Sequence, residues 1–300
     1  MIQVFCLGLV IQTQAQQTPQ YTQYMYNMSV VNPAYMIDEP GMIQLGSLYR
    51  NQWVGVEGAP KTANVFAHIP LNDKIQLSAN YINDKIGSKT IINQNIFNLD
   101  FAYKLTLTET TSLSLGLKAG VNQLGVDFSG AQLTSGQNFQ NTSQSSLNIG
   151  TGAYLFGRKS YVGISTPNLI PNQITSADKN VFKEQSHVYF IGGYVFDVTR
   201  SIKFKPSTVV KYVNQSPLTF DVASNFLFNE KFEVGASYRY QDAVNALVGF
   251  YINPNLRIGY AYDYGISDLN YFNKGSHEII LLYRLDLLKF RNKYSSPRFY

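Results

Sequence analysis

The side chains able to do acid–base or ligand chemistry in this chain are few, and their spacing points to ion pairing rather than catalysis. Three histidines occur, His68, His187 and His277. None has a histidine, cysteine or carboxylate at metal-ligand spacing such as HxxxH or CxxC. Ser186 and His187 are adjacent, and adjacent residues of a strand point to opposite faces, so they cannot form a nucleophile–base pair with each other. No GxSxG elbow or phosphate-binding glycine loop is present. Asp38-Glu39 reads as a turn, not as paired carboxylates. The chain is read as non-enzymatic, with no cofactor and no metal. The remaining charges follow a rule. Lys211, Asp221, Glu233, Arg239, Arg257 and Asp263, with Lys118 and Lys203, all fall on the polar side of segments whose other side is apolar.

Those segments alternate with period 2, which is the signature of β-strands. Residues 201–264 hold the clearest set. Leu256, Ile258, Tyr260, Tyr262 and Tyr264 alternate with Asn255, Arg257, Gly259, Ala261 and Asp263. Strands are expected over 41–49, 62–69, 75–82, 93–105, 111–122, 147–156, 160–166, 186–197, 201–212, 217–228, 231–240, 243–252, 255–264 and 276–285, about fourteen in all. Apolar-outside, polar-inside strands of this length, with tyrosine near their ends, describe a transmembrane antiparallel β-barrel. Outward residues would include Leu113, Leu115, Leu117 and Val121; Leu218, Phe220, Val222, Phe226 and Phe228; and Val244, Val248, Phe250 and Ile252. The charged residues above would face the lumen, because a charge at the lipid midplane costs about 2–4 kcal/mol.

The connections support this reading. All the even-numbered ones are short, whereas every long one is odd-numbered: 50–61, 83–92, 123–146, 167–185 and 265–275. Short periplasmic turns and long external loops give this parity. A Greek-key sandwich puts long connections at both ends. Glycines within strands, such as Gly150, Gly152, Gly192, Gly193, Gly235 and Gly259, read as room for curvature or for a bulky neighbour.

Composition agrees. Aromatic and charged residues are each 14% of the 300, with 22 Tyr and 19 Phe against one Trp. A soluble domain carries nearer a quarter charged residues. The net charge of +5 is scattered, and an exported chain does not meet nucleic acid. Residues 1–15 read as a signal peptide whose charged n-region is truncated, with an apolar run from Val4 to Ile11 and a small residue at Ala15. The single cysteine, Cys6, lies inside that run. No run approaches the 18 apolar residues of a membrane helix. The domain plan is then a leader over 1–15, an N-terminal segment over 16–40, a barrel over 41–288 and a basic tail over 289–300. That tail is either a solvated terminus or a contact with a partner or lipid headgroups.

Two segments carry more than a barrel needs. Residues 20–35 are aromatic and amide-rich, either a plain periplasmic lead-in or a plug folded into the lumen, where tyrosines find burial and amides find partners. Residues 50–62 hold Trp53 among Gly55, Gly58 and Pro60. This segment is expected to fold inward against the barrel mouth, with Arg50 reaching a luminal carboxylate such as Asp263 or a backbone carbonyl. Gln23-Tyr24-Met25-Tyr26-Asn27, Asn32-Pro33-Ala34-Tyr35, Tyr49-Arg50-Asn51-Gln52-Trp53 and Gly58-Ala59-Pro60-Lys61-Thr62 together resemble the PorP/SprF family of type IX secretion membrane proteins, as does the ending Ser296-Pro297-Arg298-Phe299-Tyr300. The resemblance implies a barrel similar to the fatty-acid-transporter type in the outer membrane. It also implies partners: the C-terminal domain of a type IX cargo, sometimes a gliding adhesin, and other secretion components, besides membrane lipid. The competing readings are a channel for a small solute, a secreted sandwich adhesin and an outer-membrane hydrolase.

Overall fold

In the computed structural model the described residues are 19–37, 39, 41–88, 90–130, 141–170, 173–176, 179–183, 185–214, 216–267 and 273–286. The leader over 1–15 and the tail over 289–300 lie outside them. The strands are β1 (Met42–Asn51), β2 (Lys61–Pro70), β3 (Ile75–Ile86), β4 (Ile91–Thr106), β5 (Thr111–Asp127), β6 (Thr142–Gly157), β7 (Ser160–Thr166), β8 (Gln173–Ser176), β9 (Lys179–Lys183), β10 (His187–Tyr194), β11 (Phe196–Asp197), β12 (Ile202–Val213), β13 (Thr219–Phe228), β14 (Phe232–Arg239), β15 (Ala243–Asn253), β16 (Leu256–Gly265) and β17 (Ser276–Asp286). Each barrel strand pairs antiparallel with the next, and β1 closes on β17. Strands β8 and β9 pair only with each other, as a hairpin outside the ring.

Strands β10 and β11 are one stave interrupted at Val195. The break lies opposite Pro206 of β12, between the Gly193↔Ser207 and Phe196↔Phe204 pairs. Proline has no N–H to give the ladder, so pairing lapses there. Val195 instead donates its N–H to Lys159 across the other side, at 2.8 Å. With that stave counted once, the wall is a closed antiparallel barrel of fourteen strands, as the alternation predicts.

The outward face is apolar in a continuous band. On β5, Leu115, Leu117 and Val121 are exposed while Lys118 is buried. The band has a common upper limit: Tyr81, Phe97, Val121 and Leu147 sit side by side in register across β3 to β6. Above them the outward residues turn polar, beginning with Asn83, Asn95, Gln123 and Ser145. At the opposite end Phe196, Phe204 and Phe226 stack with ring centroids 6.1 and 4.7 Å apart, an aromatic girdle where hydrocarbon meets headgroups.

The structure corrects several boundaries. Arg50 and Asn51 belong to β1, not to the loop after it. The loop expected over 83–92 shrinks to 87–90, because β3 runs on to Ile86 and β4 starts at Ile91. The loop expected over 123–146 shrinks likewise, and the one over 167–185 contains the β8–β9 hairpin. These stretches are rich in amides, a composition typical of loops. Here the amides pair across strands instead: Asn83 donates to Asn93 and Asn95 at 2.9 and 2.8 Å. Strands in water need no apolar face when side-chain hydrogen bonds line them.

Arginine at Leu117, the centre of the outer band on β5, is expected to destabilise the barrel by about 2–4 kcal/mol. Arginine at Gln123, on the same face above the band, is expected to cost about 0–1 kcal/mol. Equilibrium unfolding in lipid vesicles checks both; equal penalties at the two positions would contradict the band limits.

Candidate functional site

Residues 19–37 run inside the ring of strands. Gln23, Met25, Tyr26, Met28, Ala34 and Tyr35 are all buried. Two short 3-10 turns, Tyr24–Tyr26 and Met28–Val30, coil the segment without the length a helix needs. Its backbone does not pair with the wall as a strand, since the staves around it already pair on both sides. Its polar groups are therefore satisfied partly by its own turns, as Tyr26 N–H to Gln23 and Asn27 N–H to Tyr24, and partly by side chains that the wall points inward.

Arg50 is the hub of the first cluster. Its guanidinium contacts Asp263 at 2.7 Å and Glu278 at 3.2 Å. Glu278 lies directly opposite Arg50 in the β1–β17 register, and Asp263 lies one strand further round. Thr22 enters between them. Its hydroxyl donates to Asp263 at 2.7 Å, and its N–H reaches Glu278 at 3.0 Å. Gln23 gives Glu278 a second backbone N–H at 2.8 Å. Arg239 extends the cluster, pairing with Asp221 at 3.0 Å. Breaking one member of such a buried pair leaves the other uncompensated, which is strongly destabilising.

The second cluster joins Arg257 to Glu233 at 2.7 Å. These residues lie on β16 and β14, with β15 between. The reach is open because Gly249 and Gly259 have no side chain; a Cβ at either would meet the Arg257 guanidinium. Tyr26 lies flat against that guanidinium, 3.6 Å from its carbon to the ring centre, and donates its hydroxyl to Glu233. Asn225 completes the carboxylate at 2.9 Å. In a third cluster Lys118 pairs with Asp100 at 2.7 Å and donates to the carbonyl of Ser29 at 3.1 Å.

The Asn32-Pro33-Ala34-Tyr35 motif seats on the opposite wall. Asn32 donates to the Ala153 carbonyl at 3.1 Å and accepts the Ala34 N–H at 2.9 Å. Gly116 leaves room for the backbone of Pro33 and Ala34; Gly152 and Gly163 leave room for the Asn32 amide. Tyr35 packs its edge against His68 and Tyr154, with centroids 5.3 and 5.9 Å apart.

The other motif divides. Arg50 points into the lumen, while 52–60 form a loop stitched to both neighbours at the rim. Gln52 donates to Pro60 at 3.0 Å, and Asn51 pairs with Lys61 across the base. Val54 donates its N–H to the Gly275 carbonyl at 2.8 Å and accepts the Lys274 N–H at 2.7 Å. Gly58, at φ 76°, accepts the Gly87 N–H at 2.8 Å, an approach that a Cβ would block. Ala59 turns back to Val56. Trp53 has φ 42° and is half-buried, with its N–H on Ser276 at 3.2 Å. The loop is therefore tied at the rim to Gly275, Ser276 and Gly87, while Arg50 below it reaches Asp263.

Above residues 19–31 the lumen opens into a vestibule of about 950 Å³, counting its mouth. Tyr21, Tyr24 and Val31 form its floor, Ile96, Tyr189 and Val209 line its walls, and Lys211, Asp221 and Arg239 lie on one side. The chemistry on offer is recognition through hydrogen bonds and apolar contact. Among the described residues no group of histidine, cysteine or carboxylates is arranged to hold a metal. His187 and Ser186 are held by Asn168 instead: Ser186 donates to its carbonyl and the His187 N–H reaches its side chain. Lys203 sits at the short-turn rim on Glu230. Sequence reasoning placed Thr22 within the 20–35 segment but overlooked Glu278 and Asp100. Glu278 and Asp100 were legible by parity, one on the inward face of β17 and the other on that of β4.

A closed barrel with an apolar outer band, aromatic girdle and charged lumen is an outer-membrane protein. Solved outer-membrane channels share the fold. The Ralstonia pickettii toluene transporter TbuX matches with a TM-score of 0.53 at 9% identity, over 86% of this chain and 93% of its own. The P. putida toluene transporter TodX gives 0.52 at 9%, over 87% and 94%. A Pseudomonas aeruginosa FadL homologue gives 0.51 at 11%, over 86% and 93%. No curated protein matches in sequence. The chain belongs to the family of the type IX secretion system membrane protein PorP/SprF, whose model matches residues 13–283.

Replacing Arg50 with alanine leaves Asp263 and Glu278 without their cation. The expected loss is about 3–5 kcal/mol, read by equilibrium unfolding, together with faster proteolysis of residues 19–37. Trp53→Ala should cost less than the ~3–5 kcal/mol of a fully buried aromatic ring. A larger loss at Trp53 than at Arg50 would contradict this ordering.

Proposed function

We propose that this barrel is a plugged anchor that holds, or helps to export, a type IX secretion cargo at the cell surface, with the cargo's C-terminal domain seated at the long-loop end. The observation that carries this reading is the fit of residues 19–37 to the lumen. That segment satisfies inward groups on β2, β3, β14, β16 and β17, through Thr22, Gln23, Tyr26 and Asn27 among others. A through-channel needs that space. A binding platform does not, and long connections on a rigid scaffold are where binding usually sits. Membership of a secretion family supports a secretion component as partner. Gliding adhesins are among the cargoes that the family resemblance suggests.

One observation favours a second reading. Half of the side chains that line the vestibule are aromatic, aliphatic or proline, and TbuX and TodX are toluene transporters. On that reading the barrel passes a small apolar solute.

Affinity purification of the detergent-solubilised barrel decides for the anchor if a large protein with a type IX C-terminal domain comes with it. In planar bilayers the intact barrel is expected to be silent, and deletion of residues 20–35 is expected to open a steady conductance while leaving the barrel heat-modifiable on gels. Free conductance by the intact barrel and an empty purification would favour transport.

A further inference from the structure

Strand β6 is longer than the wall beside it. On one side it pairs with β5 over its full length, from Val126↔Thr142 to Thr111↔Gly157, with no register shift. On the other side β7 covers only Thr151–Phe156. One further bond follows, from the Leu169 N–H to the Ile149 carbonyl at 2.7 Å. From Thr142 to Asn148, among the described residues, no backbone group other than those of β5 pairs with β6. The β8–β9 hairpin pairs with itself.

The position of this free edge makes physical sense. An unpaired edge in hydrocarbon is forbidden, and the last pairing, at Ile149, lies just below Leu147, the top of the apolar band. Above that line the edge stands in water. Edges in water usually carry a charge, a proline or a bulge that discourages pairing with another chain. The stretch Thr142-Ser143-Gln144-Ser145-Ser146-Leu147-Asn148 has none of the three. Its side chains are small or uncharged, and Ser143, Gln144 and Ser145 are exposed. Strands β3, β4 and β5 hold it extended, so a partner strand pays little to order it.

We propose that this edge takes up an extended strand of the cargo's C-terminal domain by backbone pairing, adding a strand beside β6. The proposal rests on the anchoring reading and assigns its contact. The lower end of the edge, Asn148, lines the vestibule together with Pro167 and Asn168. A strand laid along β6 therefore descends from the long-loop end onto that opening. The edge faces round the barrel circumference, over the top of β7. An extended segment can approach it from above, whereas a second barrel in the same membrane would have to drive its wall through this one.

Hydrogen exchange on the purified barrel, alone and with its co-purified cargo, tests this. Alternate amides of 142–148 point to the free edge and are expected to exchange freely in the barrel alone. In the complex they are expected to slow by about 100-fold or more. Proline scanning adds a second measurement. Adjacent N–H groups of a strand point to opposite edges, so one of Gln144→Pro and Ser145→Pro removes an outward donor and leaves the β5 ladder intact. That variant should stay heat-modifiable and bind cargo about tenfold more weakly. Bound cargo with unprotected edge amides, or full binding by both proline variants, would overturn the edge while leaving the anchor standing. Protection that rises with barrel concentration in the absence of cargo would assign the edge to a second copy and overturn it too. An absence of any cargo overturns both readings.

Discussion

A backbone in hydrocarbon has no water to pair with, and this requirement governs the molecule. It closes β1 on β17, because any edge left within the apolar band would strand a row of N–H and C=O groups. It explains why the Pro206 break is tolerated: the interrupted stave redirects the Val195 N–H to Lys159 rather than leaving it free. It also sets where the wall is allowed to be incomplete. Above the end of β7, among the described residues, one bond from Leu169 to Ile149 carries the closure toward the level of Leu147.

Closure has a second consequence, for the lumen. A ring whose outside is apolar sends its alternate residues inward, and a barrel of this size cannot fill itself with them. The inward side chains form ion pairs across neighbouring strands, and glycines sit where one side chain must cross another stave. Arg257 reaches Glu233 over Gly249 for this reason. The same device admits the N-terminal segment, whose Asn32-Pro33-Ala34 turn rests on Gly116, Gly152 and Gly163.

Most of the wall was legible in the sequence, since period 2 is a local signal and the outer band has to be apolar along every strand. Parity assigned Lys118, Glu233, Arg239 and Asp263 to the interior without a structure. Two things were not legible. Strand ends above the membrane, such as 83–86 and 123–127, carry Asn, Gln and Gly, and only the cross-strand partner distinguishes an amide ladder from a loop. The seat of residues 19–37 was hidden too, because it is built from glycines on β5, β6 and β7 that are far apart in sequence and converge only when the ring closes. The aromatic and amide content of 20–35 announced that the segment needed partners; it could not say which.

The charge distribution gives this interior a particular character. From Pro19 to Ile37 the segment carries no charged side chain. The charges are all on the wall, and there they are matched across strands: Arg50 with Asp263 and Glu278, Arg239 with Asp221, Arg257 with Glu233, Lys118 with Asp100. The segment contributes neutral donors and acceptors to pairs that exist without it. Its departure would expose intact ion pairs to water, which replaces a hydroxyl or an amide at little cost, and would leave no ion alone in the dark of the barrel. A charged segment bound to an unbalanced wall would be locked in by electrostatics. This one is held by shape, by the tyrosines it buries and by the directionality of its hydrogen bonds. The segment's own hold on the lumen therefore lies in shape and hydrogen bonding, and the ion pairs of the wall do not depend on a charge from it.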